Sequence, residues 1–412
     1  MPDADSVPEA PASEVLREPR DGIPTPVADP AALAAMIERF AAGTGPVAID
    51  AERASGYRYS QRAYLVQLRR AGAGTALVDP IPLTAAGTDL SALTAAIAEE
   101  EWVLHAASQD LPCLAELEMR PRRLFDTELA ARLAGFERVG LAAITERLLG
   151  YALEKHHSAA DWSSRPLPTS WLAYAALDVE LLIALRDALA EELDRQGKSE
   201  WAGQEFAALM AARPPRPRND PWRRTSGIHR VRGARGLARV RALWTARDEA
   251  AQRRDVAPGR VLPDAAIIAA AQADPADERA LLALPGFSNR GARRLTRTWL
   301  STIQEARTLP DSQLPPTSVA ADGPPPPHRW AERDPAAAAR LTRSRAAVTA
   351  IATAHRVPTE NLLSPDTVRR LSWSPPERAE RDHVEAFLLD HGARPWQVEL
   401  TGQVLTEALR SD

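Results

Sequence analysis

The sequence predicts an α/β domain over residues 27–212 followed by two all-α blocks, residues 226–307 and 330–412. Three observations lead there. Short apolar runs bounded by turn residues occupy the first half of the chain and alternate with segments of helical period. From Gly236 onward the periodicity is helical, punctuated by Pro263, Pro275 and Pro285-Gly286. Two proline-rich stretches, 213–225 and 308–329, separate the units as linkers. The acidic, proline-bearing start predicts a disordered segment over residues 1–26.

The first strand is read at Val47 to Glu52, after a Gly/Pro turn. Strand side chains alternate faces, so Asp50 and Glu52 point the same way. Two adjacent carboxylates repel unless a positive group sits between them, and a hard divalent cation suits that place. Two further strands are read at Tyr64 to Arg69 and Thr75 to Asp79, split by the turn Ala71-Gly72-Ala73-Gly74.

The segment Glu101 to Leu111 reads as a buried strand, a corner and a helix starting near Ser108. Asp110 then lies in the first helical turn, where the helix dipole favours an acid and Ser108 is a ready cap. His105 stands at the strand end. A rival set exists in Asp126-Thr127-Glu128 with His156 and Asp161, which repeats the His105 to Asp110 spacing. Chain order weighs against it, because the dozen or so residues from Asp161 to Tyr174 are too few for a strand and helix of an α/β unit. Asp126 or Thr127 is better placed as the N-cap of a helix from Glu128 to Leu133.

From Ser170 to Glu191 the period is helical, with Tyr174, Leu177, Leu181, Leu182, Leu185 and Leu189 forming one apolar stripe. Asp178 falls inside that stripe. A carboxylate facing a core needs a cation or an Arg partner. Tyr174 lies one turn earlier on the same face, where its phenol can reach a polar rim.

Taken together, Asp50, Glu52, His105, Asp110, Tyr174 and Asp178 resemble the motif set of the ribonuclease D family, in the tyrosine-bearing subgroup of the DEDD exonucleases. The resemblance extends through Tyr64-Leu65-Val66-Gln67-Leu68, Leu104 to Leu111, Phe125-Asp126-Thr127 and Asp161-Trp162-Ser163-Ser164-Arg165-Pro166-Leu167, covering residues 27–212. One departure is Ala51, where the family commonly carries Thr on the face turned away from the metals. The resemblance implies a ribonuclease H-like fold, a mixed five-stranded sheet flanked by helices. It implies that Asp50, Glu52, Asp110 and Asp178 hold two divalent ions, Mg2+ or Mn2+, with Tyr174 acting on the attacking water. Such a site releases nucleoside 5′-monophosphates from a 3′ end. His105 is assigned to the rim of the site and Gln67 to sheet structure or strand contact.

Composition agrees with a metal-dependent nuclease of two or three domains. Of 412 residues, 45% are apolar, enough for ordinary cores. The single cysteine, Cys113, excludes an internal disulfide framework and indicates a reducing compartment. With no membrane-length apolar run, a cytoplasmic monomer is expected.

The net charge of −4 hides an asymmetry, because residues 213–307 carry twenty Arg against nine Asp or Glu, a balance of +11 that leaves −15 elsewhere. Arg223, Arg224 and Arg235 in this basic segment are candidate phosphate contacts. The first helical block resembles an HRDC domain, with Leu284-Pro285-Gly286-Phe287 matching its loop before the last helix. Gly286 is a candidate for backbone contact with a phosphate. A faint repeat relates Val256, Val261, Leu262 and Ile267 to Val357, Leu362, Leu363 and Val368, each 101 positions on, which predicts a second HRDC-like block packed against the nuclease domain rather than gripping substrate. The combined expectation is a 3′→5′ exoribonuclease acting on structured RNA such as tRNA precursors. The motif set fits DNA equally well. A non-catalytic RNA-binding adaptor would require a lost carboxylate, and all four are present.

Overall fold

A computed structural model describes residues 14–153, 160–213, 218–318 and 323–410. The chain runs β1 (Glu14–Leu16), α1 (Pro30–Ala41), β2 (Thr44–Arg53), β3 (Ala63–Ala71), β4 (Gly74–Val78), α2 (Pro80–Ala85), α3 (Ser91–Ala96), β5 (Glu101–Leu104), α4 (Leu111–Ala115), β6 (Arg123–Asp126), α5 (Thr127–Ala134), α6 (Leu141–Leu149), β7 (Tyr151–Leu153), α7 (Thr169–Glu180), α8 (Leu182–Arg195) and α9 (Ser199–Ala211). Five strands form one mixed sheet in the order β4-β3-β2-β5-β6, antiparallel from β4 to β2 and parallel from β2 to β6. The five-stranded expectation holds.

The order follows from the connections. Gly72 and Gly74, both in the left-handed region, let β3 turn back on itself into β4 within a few residues. Parallel pairing of β2 with β5 needs a longer crossover, which α2 and α3 supply. Helix α7 then crosses β2, β3 and β4, while α8 packs on β2 and β5. The apolar stripe read as one helix from Ser170 to Glu191 is two, because the backbone leaves helical geometry at Leu181 (φ −109°, ψ 1°). That bend lets α7 serve the carboxylate edge and α8 the sheet centre.

The segment expected to be disordered is ordered where described. Residues Glu14–Leu16 pair in parallel with Tyr151–Leu153, and Leu16 packs with Leu177 and Leu181. Arg20 covers the Tyr151 ring and Asp21 pairs with Arg69. Residues 1–13 of that expectation lie outside the described residues.

The first helical block comprises α10 (Gly233–Arg254), α11 (Pro258–Val261), α12 (Asp264–Ala273), α13 (Glu278–Leu282), α14 (Arg290–Arg293) and α15 (Thr296–Thr308). It has its own core around Trp299, Phe287 and Leu243. Trp222, inside the stretch read as linker, is 3% exposed and belongs to that core, so the block starts earlier than residue 226. The last block comprises α16 (Trp330–Arg333), α17 (Pro335–His355), α18 (Thr359–Leu362), α19 (Pro365–Trp373), α20 (Arg381–Asp390) and α21 (Pro395–Arg410). The repeat seen in sequence reappears in the helices: α10 and α17 end at 254 and 355, α11 and α18 start at 258 and 359, and α12 and α19 start at 264 and 365, each 101 apart.

Unlike the first block, the last shares one continuous apolar core with the nuclease domain. Trp201 stacks on Trp396 at 4.7 Å, and Glu205 accepts from Arg394, Trp396 Nε1 and Gln397 Nε2. Lys198 donates to the carbonyls of Leu133 and His355, bridging the two units.

Candidate active site

Strand β2 and helix α7 deliver three acids to one place. Carboxylate oxygens of Asp50, Glu52 and Asp178 lie within 4.8 Å of one another, the one such grouping of potential metal ligands among the described residues. Asp110 joins them through a hydrogen bond to Asp50, and Tyr174 hydrogen-bonds Asp178 one turn along α7. No Arg pairs with Asp178 among the described residues, so the expected alternative of an Arg partner is not what fills the stripe.

The corner carrying Asp110 departs from the sequence reading. A single 3-10 turn, Ala107–Gln109, precedes α4, and Asp110 is the residue that caps α4 without using its side chain. Ser108 caps nothing. The carboxylate is thereby free to face Asp50. The corner itself depends on Ala106, which sits in the left-handed region at φ 58°, a conformation costing a non-glycine residue on the order of 1 kcal/mol. Asp126 offsets that cost. Its carboxylate accepts from the amides of Ala106 and Ala107 at 3.1 and 2.9 Å and, as the α5 N-cap, from Glu128 and Leu129. The rival acid is thus the prop under the corner, and the N-cap expectation for it holds.

Electrostatics mark the cluster as incomplete without a cation. Burial and the neighbouring Asp50 push Asp110 up to about 8. Burial, followed by the charges of Asp50, Asp178 and Asp110, holds Glu52 well above the usual carboxylate range. Burial and Asp50 do the same to Asp178. Asp50 is raised by burial against weaker opposing contacts. Four buried acids, three of them raised further by neighbouring carboxylates, form a site for hard divalent cations, which prefer carboxylate oxygens and displace the protons.

A cavity of about 440 Å³ opens over these groups, lined also by Arg53, His105, Gln109, Leu141 and Leu153. A larger one of about 780 Å³ lies between α6 and Arg356, away from the carboxylates, where Arg138 and Arg147 alternate with Glu137 and Glu146. Size here does not track chemistry, since the smaller cavity alone holds the acid grouping.

His105 lines the cavity. Thr127 Oγ1 donates to the Leu104 carbonyl, so at 2.9 Å it accepts from His105 Nδ1, leaving Nε2 as the acceptor. Burial lowers His105 to about 4, which keeps the ring neutral at ordinary pH. Gln67 faces Asp50 across the β2–β3 register and is fully buried, with neither amide atom hydrogen-bonded, and it does not line the cavity. Asp161 accepts from its own neighbour Ser163 and stays out of the cluster, while His156 lies outside the described residues.

The motif after Asp161 acts as a buttress. Arg165 clasps Asp79 through Nε and Nη2 at 2.6 and 2.8 Å and reaches the Tyr64 carbonyl. Trp162, fully buried, packs its ring 6.4 Å from that of Tyr174.

In the basic segment several arginines are spent on structure. Arg235 donates to the carbonyls of Arg307 and Leu309 and pairs with Asp311. Arg223 stacks on Trp222 and pairs with Asp220. Arg239 and Arg307 share Asp274, and Arg247 pairs with Asp264. Arg224 stays exposed without a partner among the described residues. Gly286 is a packing glycine: at φ +87° it touches α12, where a Cβ would fall 2.7 Å from that of Ala266. The helix after it, α14, is a single turn inserted before α15. Two roles escaped the sequence reading, that of Arg53 and, beyond its N-cap, the contact of Asp126 with the Ala106–Ala107 corner. The first depends on a β-bulge and the second on an acid whose partners lie 20 residues back in the chain, and neither leaves a local pattern.

Residues 24–194 match the 3′-5′ exonuclease family profile, residues 236–303 the HRDC domain profile, and residues 323–409 the 3′ to 5′ exonuclease C-terminal domain profile. The last block thus matches a profile of its own while keeping the helix spacing of the first. The ribonuclease D of Gluconacetobacter diazotrophicus is 36% identical over 288 residues, 68% of this chain and 71% of that protein. A crystal structure of a Bifidobacterium adolescentis protein superposes with a TM-score of 0.90 at 40% identity, covering 97% of this chain and all of that one. The structure of Escherichia coli RNase D, described as an exoribonuclease involved in structured RNA processing, matches at a TM-score of 0.66 and 25% identity over 94% and 98% of the two chains. With four carboxylates and a tyrosine assembled on the expected sheet, and these likenesses extending through both helical blocks, the chain belongs to the ribonuclease D family.

Proposed function

We propose that this protein is a metal-dependent 3′→5′ exoribonuclease that trims structured RNA, tRNA precursors among its substrates. The observation that carries the reading is the convergence of Asp50, Glu52, Asp110 and Asp178 from a strand, a corner and a helix, with Tyr174 hydrogen-bonded to Asp178. Two Mg2+ or Mn2+ ions held by these four carboxylates would supply an activated water and offset charge at the scissile phosphate. Tyr174, its hydroxyl already on the cluster, positions that water. His105 offers Nε2 as an acceptor at the rim, suited to a hydroxyl of the terminal sugar. The neutral ring adds no charge there.

RNA binding falls to the first helical block, on Arg224 among the arginines read in the sequence and on four that were not. Arg290, Arg293, Arg294 and Arg297 are exposed along α14 and the start of α15, and none has a carboxylate partner among the described residues. This patch connects to the nuclease domain: α14 packs on α11, whose Arg260 donates to the Gly56 carbonyl and covers the Tyr57 ring at 4.0 Å. Gly56 lies in the turn just after Arg53, where the strand that carries Asp50 and Glu52 ends. A basic surface joined to that loop suits a substrate body held outside while its 3′ end enters the cavity. A cytoplasmic location is part of the proposal, supported by the single buried thiol of Cys113.

The test is a matched assay on 3′-labelled RNA, single-stranded DNA and a tRNA precursor, with Mg2+ or Mn2+ against chelator. Preference for the RNA substrates with loss of all cleavage in chelator supports the reading. Faster turnover of DNA would reassign the enzyme to the other sugar, and equal turnover would remove the preference for RNA.

A further inference from the structure

Arg53 follows Glu52 on β2 and, by simple alternation, belongs on the opposite face. It does not go there. Between the Glu52–Leu65 and Arg53–Ala63 pairs the register skips Tyr64, and this β-bulge re-aims the side chain into the carboxylate cavity. Arg53 is the one Arg or Lys lining that cavity among the described residues. Its Nη2 stands 3.9 Å from Asp110 Oδ1, beyond hydrogen-bond distance, and its side chain is 28% exposed. No hydrogen bond from its guanidinium to protein occurs among the described residues, so a fork of donors is presented to the cavity.

The charge balance gives that fork a task. Four carboxylates and two divalent ions sum to zero, leaving the bound phosphodiester and the added charge of its transition state without a counter-charge. A guanidinium at the rim supplies one, in a planar arrangement that matches phosphate oxygens. We propose that Arg53 is a substrate-binding catalytic residue that holds the scissile phosphate, and not simply a counter-ion of Asp110. The inference rests on reading this cavity as the exonuclease site.

The decisive experiment pairs a protein change with a substrate change. Binding is measured with Ca2+ present, using a short 3′-hydroxyl RNA and the same RNA carrying one uncharged methylphosphonate at its 3′-terminal linkage, both with a 2′-O-methyl group on the adjoining sugar. Wild type should bind the charged oligomer more tightly, and Arg53→Ala should lose roughly tenfold of that discrimination, as for one charge-assisted pair, keeping only the part due to bound Ca2+. Arg53→Lys should recover part of the difference. In turnover, Arg53→Ala should lower kcat by about 10²-fold, with KM changed far less. If wild type and Arg53→Ala discriminate equally, Arg53 does not hold the phosphate although the 3′ end enters the cavity. If neither discriminates, the placement of the 3′ end fails together with the role of Arg53.

Discussion

Asp255 and Arg356, 101 positions apart, occupy the same left-handed corner at the end of the long helix in the two helical blocks, at φ 46° and 51°, and both turn that corner against the nuclease domain. Asp255 accepts through Oδ1 from the amides of Tyr59 and Ser60 at 3.1 and 2.9 Å. The Arg356 carbonyl approaches Gly135 so closely that a Cβ there would lie 2.6 Å away. Replacing Asp255 by Gly keeps the corner free of strain and removes only the acceptor. The amides of Tyr59 and Ser60 should then exchange with solvent about tenfold faster, for a loss near 1.4 kcal/mol. Unchanged exchange would mean that the first block is held by other contacts.

The last block docks through a buried acid. Glu205 serves Arg394, Trp396 and Gln397, and Glu205→Ala leaves these donors without their acceptor. With Arg394 partly exposed, a cost of about 3 kcal/mol is expected. It should appear as a lower denaturant midpoint, with cleavage of short oligomers unaffected in the folded enzyme.

The prop under the corner predicts a different pattern. Asp126→Ala removes four backbone acceptor contacts and releases Ala106 from its left-handed conformation. Stability should fall by about 2–3 kcal/mol, and kcat should fall as well because Asp110 is carried by that corner. A variant with lost stability and full kcat in the folded fraction would sever the link.

Metal and pH should act together. Asp110 titrates at about 8 in place of 3.8, so between these values the folded, metal-free protein binds a proton that the unfolded chain does not. Stability of the chelated protein therefore falls as pH rises through that window, with Asp50, Glu52 and Asp178 shifted in the same direction. Divalent cations displace these protons, so the rise in Tm on adding Mn2+ should grow with pH. Asp110→Asn should flatten both trends. A chelated protein that gains stability across the window contradicts the shared-proton cluster.

The arginines divide into two groups with separable effects. Changing Arg290, Arg293, Arg294 and Arg297 to Gln should weaken RNA binding and lower its salt slope by up to about 3, at about 0.7 per single-strand phosphate contact. Arg235→Gln should cost stability and leave the slope unchanged, because its donors are spent on Arg307, Leu309 and Asp311.

Much of this was legible in the sequence because its signals are local. The period-2 strand at Asp50 and Glu52, the acid in the apolar stripe at Asp178, and the Asp126 cap each show within a few residues. The offset of 101 showed as four apolar pairs before it showed as helices. What stayed hidden depends on distant partners. Glu14–Leu16 gains strand form only by meeting Tyr151–Leu153, more than a hundred residues on. Arg235 looks like a phosphate ligand until the Arg307 and Leu309 carbonyls and Asp311 are seen around it. The break at Leu181 has no Gly or Pro to announce it, and the bulge that re-aims Arg53 is a property of two strands at once.

Product analysis on a short 3′-hydroxyl RNA, comparing wild type with Asp178→Asn in Mg2+ or Mn2+ and in chelator, tests the central assignment most directly. Wild type should release nucleoside 5′-monophosphates one at a time from the 3′ end, only when metal is present. Asp178→Asn should bind the RNA with nearly unchanged affinity and release product at least about 10²-fold more slowly. Wild-type-like turnover by that variant, or hydrolysis that persists in chelator, would contradict a metal site built on these four carboxylates.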